Sequence, residues 1–271
     1  MNLSRSFNNT LKMNRLNALF AKKNKDLLNI YFTAGYPHLK DTGPIALALE
    51  KAGVDLIEVG IPFSDPLADG PTIQYSGEVA LKNGMTLPLL FEQLKNLRQK
   101  TEIPLILMGY FNQVMQYGEE AFVRKCIEVG IDGVILPDLP LYEYEEFYQG
   151  LFEKASLSIS FLITPQTSKE RILKIDALAS GFIYMVSNAS ITGAKSSISD
   201  HQLDYFNRVN AMELRNPRLI GFGISSKETF ETACQYANGA IIGSAFIKAL
   251  KGVENVETAT FDFIQKIKST K

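Results

Sequence analysis

Cysteine and histidine are scarce in this 271-residue chain, with two of each. Cys126 and Cys234 lie far apart, each inside an amphipathic helical pattern and outside any CxxC or Cys/His grouping, so they are expected as reduced core residues. His38 and His201 both sit in polar, turn-like surroundings and are expected to face solvent. A histidine-rich metal site or a Ser-His-Asp triad therefore has few candidates, and no metal site is expected. Charge is also short of any excess: the net charge is −1, the pI is near 6.2, and no basic block exceeds Lys22-Lys23-Asn24-Lys25. That balance argues against a nucleic-acid partner. No apolar run approaches the roughly 18 residues that span a bilayer, and the polar start through Thr10 has no secretory h-region. No membrane association is expected, and the default location is the cytoplasm.

What the chain does have is core-forming material, with 46% hydrophobic and 21% charged residues. Short apolar, β-branched segments alternate with helical ones throughout, uninterrupted by low complexity. The strands are predicted at 27–34, 54–60, 104–110, 132–137, 157–164, 181–187, 218–223 and 239–243. Helices are predicted at 41–53, 88–100, 118–130, 142–155, 168–179, 200–213, 226–237 and 255–268. Ala52-Gly53, Val129-Gly130 and Ser180-Gly181 end helices in the manner of a left-handed cap, and Ser226 opens one as an N-cap. Eight βα units at about 34 residues each fit a single-domain (β/α)8 TIM barrel, with an open doubly wound sheet as the alternative. Residues 1–12 read as a loose N-terminal extension and 13–271 as the barrel domain. Residues 13–23 read as an extra N-terminal helix with Met13, Leu16, Leu19 and Phe20 on one side, able to cap the barrel floor.

Ligands in either architecture bind at the carboxyl ends of the strands. In the second strand, alternation places Leu56, Glu58 and Gly60 on one face and Ile57 and Val59 on the other, both largely apolar. A carboxylate there loses hydration, at a cost of several kcal/mol unless it is paired, bonded or protonated. Such a residue is retained for chemistry. The loop read as 61–74 adds Asp69, the turn Tyr110-Phe111-Asn112 follows strand three, and Pro137-Asp138 follows strand four, where Asp138 is expected to bind a backbone amide. Near the end, Gly221-Phe222-Gly223-Ile224-Ser225 and Gly243-Ser244 form glycine-bearing turns, the second opening a helix. Backbone N–H groups and a helix dipole can hold a phosphate there without a basic side chain.

The segment Leu56 to Gln74, with its strand glutamate, Gly-Ile-Pro-Phe-Ser-Asp-Pro core and Ala-Asp-Gly-Pro-Thr-Ile-Gln tail, resembles the signature of the tryptophan synthase alpha subunit family. The resemblance extends through Tyr31-Phe32-Thr33-Ala34-Gly35, Met108-Gly109-Tyr110, Pro137-Asp138-Leu139-Pro140, Tyr184 to Gly193, Gly221 to Ser225 and Ile242-Gly243-Ser244-Ala245. It covers nearly all of the chain after residue 12.

That resemblance implies a lyase of tryptophan biosynthesis, which cleaves indole-3-glycerol phosphate to indole and glyceraldehyde 3-phosphate by a retro-aldol reaction. It implies no cofactor in this chain. The partner implied is a beta subunit carrying pyridoxal phosphate, in an alpha2-beta2 heterotetramer through which indole passes to be joined to serine. By position, Glu58 is implied as the acid/base at indole C3 and the glycerol hydroxyl, and Asp69 as the acceptor of the indole N–H. Tyr31, Met108, Tyr110, Tyr184, Thr192 and Phe222 are implied around the substrate. Gly193, Gly223, Gly243 and Ser244 are implied at the phosphate, and Asp65 and Pro66 at the beta subunit. Asn188 and Ser190 depart from the arginine and glycine that many members carry. Two other readings of the residues stand beside this one: a different phosphosugar enzyme on the same barrel, and a non-catalytic subunit that activates a beta partner.

Overall fold

The computed structural model describes residues 14–186, 199–221 and 223–269. Eight parallel strands form the centre: β1 (Leu27–Thr33), β2 (Leu56–Gly60), β3 (Leu105–Met108), β4 (Gly133–Ile135), β5 (Ser158–Ile163), β6 (Ile183–Val186), β7 (Arg218–Gly221) and β8 (Gly239–Ile242). They pair in sequence order, and β8 returns to β1 through Leu27↔Gly239 to Ile30↔Ile242, closing the barrel. The open-sheet alternative is thereby excluded, and each observed strand lies inside its predicted segment.

Closure separates the two faces of every strand. Leu27, Tyr31, Leu56, Ile106, Ile135, Phe182, Tyr184, Leu219 and Ile241 pack inside the barrel. Ile30, Phe32, Ile57, Val59, Leu105 and Leu107 point outward into the larger core beneath the helices. Both sets are buried, which is why these strands read as nearly continuous apolar runs. Cys126 and Cys234 are free and buried among the helices, as expected. His38 and His201 are exposed, and His38 Nδ1 lies 2.8 Å from Asp41.

The floor of the barrel is closed by the helix Arg15–Lys22. Asn14 begins it: its Oδ1 accepts from Asn17 N–H, while its Nδ2 donates to the Asp132 and Ser156 carbonyls and to Ser158 Oγ. Leu16 is wholly buried against the interior cluster, Leu19 and Phe20 pack beside it, and the Phe20 ring lies 6.1 Å from that of Phe182. Asp132, at the foot of β4, accepts from Arg98 Nη2 at 2.7 Å, Arg15 Nη1 at 3.1 Å and Leu105 N–H at 3.0 Å. Met13 lies outside the described residues.

Four helical readings are corrected. The segment 61–74 is not loop throughout, since Pro71–Lys82 is a helix with Pro71 in its first turn. Proline suits that position, where its missing N–H has no intrahelical partner to lose. Tyr110-Phe111-Asn112 is not a free turn but the start of the helix Phe111–Tyr117, whose first N–H donates to Asp138 Oδ1 at 2.7 Å. The predicted helix 88–100 is Leu87–Leu94 followed by a 3₁₀ turn at Leu97–Gln99. The predicted helix 142–155 is interrupted by a π-helical stretch at Tyr144–Tyr148.

Candidate active site

The carboxyl ends of the strands bring the candidate residues to one mouth. Glu58 points into the barrel from β2 and is 0% exposed. Its Oε1 accepts from Asn29 Nδ2 of β1 at 2.5 Å, and its Oε2 has no hydrogen-bond partner among the described residues. Burial pushes its carboxyl up to about 8, with the Asn29 bond pulling the other way. The second carboxylate, Asp69, sits half-buried in the loop after β2. Its Oδ2 accepts from the Tyr110 hydroxyl at 3.2 Å. Burial raises Asp69 to about 6, again opposed by its hydrogen bond.

Two tyrosines line the interior beside this pair. Tyr31 on β1 is level with Glu58 in the register, and its hydroxyl is 3.5 Å from Thr33 Oγ1, which meets Ser76 Oγ at 2.7 Å. Tyr184 stands opposite on β6. Both phenols are held well above their ordinary range, chiefly by burial; the nearby charge raising Tyr31 most is Asp69, and that raising Tyr184 most is Glu58. Their rings fit because the adjacent strands carry glycine. A Cβ at Gly60 would run into the Tyr31 hydroxyl, and one at Gly221 into that of Tyr184. In the sequence Gly60 was one residue of the Glu58 face and Gly221 part of a glycine-bearing turn, and neither was read as the space a tyrosine ring fills.

Tyr110 is buried at the corner between the loop after β2 and the helix Phe111–Tyr117. Its ring stacks on Phe63 at 5.0 Å, and its hydroxyl accepts from Ala68 N–H at 2.9 Å while donating to Asp69. Gln113 braces the same corner, with Oε1 accepting from Tyr110 N–H and Nε2 donating to the Pro62 carbonyl. Met108, half-buried at the end of β3, packs against the interior cluster. Gly223 follows β7 with φ +84°, a conformation open to glycine, and Gly243 precedes the short helix Ser244–Ala249. Asp65 is exposed and accepts from Ser64 Oγ at 2.5 Å, while the Pro66 carbonyl accepts from Asp69 N–H at 3.1 Å. Thr192, Gly193 and Phe222, together with Asn188 and Ser190, lie outside the described residues.

Sequence reasoning missed Asn29, since an asparagine in an apolar strand has no motif of its own. Alternation was the available signal: Asn29 and Tyr31 share a face, and the first barrel pairing sets that face beside Leu56 and Glu58.

A closed βα barrel with a buried glutamate and a half-buried aspartate at its C-terminal mouth, both raised by burial, defines an enzyme suited to acid–base chemistry. The family model for the tryptophan synthase alpha chain matches residues 17–271. The tryptophan synthase alpha chain of Flavobacterium psychrophilum is 58% identical over 255 residues, covering 94% of this chain and 100% of that one. A mutant tryptophan synthase alpha subunit from Pyrococcus furiosus superposes with a TM-score of 0.82 at 33% identity, covering 90% and 98% of the two chains. A chain of the tryptophan synthase complex from the same organism gives 0.81 at 34% identity, with the same coverage. The protein belongs to the tryptophan synthase alpha chain family, lyases that cleave indole-3-glycerol phosphate.

Proposed function

We propose that Glu58 and Asp69 are the acid–base pair of this cleavage, acting in different protonation states. The observation that supports this most directly is the order of the two carboxyls in one mouth, Glu58 at about 8 and Asp69 at about 6. At neutral pH Glu58 is mainly protonated and Asp69 mainly ionised. Glu58 then hands its proton to indole C3, while Asp69 accepts the indole N–H and stabilises the positive charge that protonation creates. The carbon–carbon bond breaks as the adjacent hydroxyl gives up its proton. The O–H electrons become the aldehyde carbonyl, and the carbon–carbon electrons restore the indole ring. Glu58, now a carboxylate, is the group placed to receive that proton, so the pair ends as it began.

Tyr31, Met108 and Tyr184 flank the indole in this reading, with Thr192 and Phe222 completing the wall and Tyr110 acting mainly through Asp69. Backbone amides at Gly193, Gly223, Gly243 and Ser244 hold the phosphate. Asp65 and Pro66 face a beta subunit in an alpha2-beta2 assembly, where pyridoxal phosphate belongs to the partner and this chain needs no cofactor. Two free, buried cysteines suit work in the reducing cytoplasm. Among the described residues, no helix is long and apolar enough to cross a membrane.

The test is indole release by the purified chain, with and without a beta subunit. This chain contains no tryptophan, so indole emission is read against a low background. Glu58→Gln is expected to lower release by roughly 10²–10⁴-fold while leaving the circular dichroism and partner binding unchanged. Full activity in that variant overturns the assignment.

A further inference from the structure

Inside the barrel, Asn29 is the side chain that touches Glu58. It is 0% exposed, it lies on the neighbouring strand, and its Nδ2 donates to Glu58 Oε1 at 2.5 Å. Two buried oxygens at this contact are left over: among the described residues, Asn29 Oδ1 and Glu58 Oε2 have no hydrogen-bond partner. An unpaired buried acceptor is destabilising, so an asparagine placed among leucines and isoleucines is costly if it serves packing alone. An amide, however, carries a donor and an acceptor on one end. Turning it over about Cβ–Cγ breaks no other bond of Oδ1, because Oδ1 makes none.

Resting on the reading of Glu58 as the acid/base, we propose that Asn29 is a positioning residue that follows Glu58 through its proton cycle. Its N–H₂ holds the carboxylate. After a half-turn, its carbonyl oxygen accepts from the carboxylic acid. The amide gains and loses no proton itself; the proton passes only between Glu58 and substrate. The carboxyl is thereby kept on one line toward the mouth in both halves of the reaction, where a leucine at this position would leave it free to rotate. The other titratable groups facing this contact are the phenol of Tyr31 on β1 and that of Tyr184 on β6, with Asp69 acting on both from the loop after β2. Among the described residues, burial and the Asn29 bond are the influences that move Glu58.

The experiment compares the wild-type chain, Asn29→Leu and Glu58→Gln in indole release across a pH range bracketing 8. The amide bonds both forms of the carboxyl, but its N–H bond to the charged carboxylate is the stronger of the two, so its loss should move the Glu58 inflection upward by about 1 pH unit. kcat should fall and KM should stay, because the amide acts on the proton carrier and not on substrate binding. An unmoved inflection with unchanged kcat overturns the role of Asn29, provided Glu58→Gln is inactive. An active Glu58→Gln instead overturns the reading of Glu58, whatever Asn29→Leu does. If Asn29→Leu fails to fold, Asn29→Ser takes its place, since its smaller hydroxyl ends one bond short of the amide. The protonated-carboxyl stretch of Glu58, assigned by its loss in Glu58→Gln, is then titrated by infrared spectroscopy. A raised midpoint supports the proposal, and a midpoint equal to wild type overturns it.

Discussion

The Tyr110 hydroxyl donates to Asp69 Oδ2 at 3.2 Å while accepting from the Ala68 N–H at 2.9 Å. One phenol thus ties the loop after β2 to the end of β3, and it fixes the carboxylate proposed to hold the indole nitrogen. The bond also favours the ionised form of Asp69, against the burial that raises it to about 6. Tyr110→Phe keeps the ring stacked on Phe63 and removes both bonds. Asp69 should then be protonated to a higher pH, so activity should fall off earlier on acidification. A hydrogen bond to a charged group is worth about 1.5–3 kcal/mol, which corresponds to roughly a tenfold or greater loss of kcat/KM near neutral pH. A pH profile superimposable on wild type would remove Tyr110 from any role at Asp69.

Glu58 also sets a pH dependence of stability. Its folded carboxyl titrates near 8 against an ordinary value of 4.5, so between these the folded state holds a proton that the unfolded chain has released. Stability falls with rising pH wherever the folded state binds more protons. The cost is absent below the unfolded value, grows through this window and levels off above the folded value. Glu58→Gln removes the titrating group, so its advantage over wild type should be larger at pH 8 than at pH 5, by on the order of a few kcal/mol. Paired urea unfolding curves at the two pH values measure this. An equal difference at both would mean that Glu58 is not held protonated in the folded protein.

The tyrosine rings in the barrel depend on what the next strand omits. Gly60 lies beneath the Tyr31 ring, and an added methyl group would collide with its hydroxyl and ring carbons. Both residues are inside a closed sheet, so neither backbone can retreat without disturbing the ladder from β1 to β2. Gly60→Ala should therefore destabilise by about 1–3 kcal/mol through overpacking, although alanine is ordinarily better than glycine in a strand. Combining it with Tyr31→Ala, which clears the space, should recover part of that loss relative to Tyr31→Ala alone. Additive effects in a double-mutant cycle would disprove the collision.

Much of this arrangement was legible in the chain. Alternation in Leu56-Ile57-Glu58-Val59-Gly60 put Glu58 on one face with Leu56 and Gly60, and the helix that floors the barrel followed from Met13, Leu16, Leu19 and Phe20. The helix after β2 was not read, because Pro71 and Gly70 resemble a continuing loop until the chain beyond them is seen to be helical. The resemblance put Tyr110 near the substrate, but its hold on Asp69 was not legible, because an aromatic at a strand end shows no partner. Its two hydrogen bonds reach Ala68 and Asp69, 42 and 41 residues earlier, and only the pairing of β2 with β3 brings these segments side by side. Asn29 was hidden for the same reason, since its partner lies 29 residues away on the neighbouring strand.

The loop that holds Asp69 also presents a side chain that the fold does not use. Leu67 is 86% exposed, between Pro66 and Ala68, and its backbone N–H donates to the Asp65 carbonyl at 2.9 Å. A leucine held out on a braced turn contributes nothing to the core, whereas buried at an interface it would remove its apolar surface from water. It stands next to Asp65 and Pro66, the residues proposed to face the beta subunit. Leu67→Asp should leave the fold and the indole release of the isolated chain unchanged, because the side chain is exposed and packs against nothing in the core. Binding to a beta subunit should weaken by about 2 kcal/mol, roughly thirtyfold, as an apolar anchor is replaced by a charge that must be desolvated. Calorimetric titration of the two subunits reads this directly. An affinity equal to wild type would place the partner elsewhere on the barrel and leave Leu67 as a solvent-exposed residue of the loop.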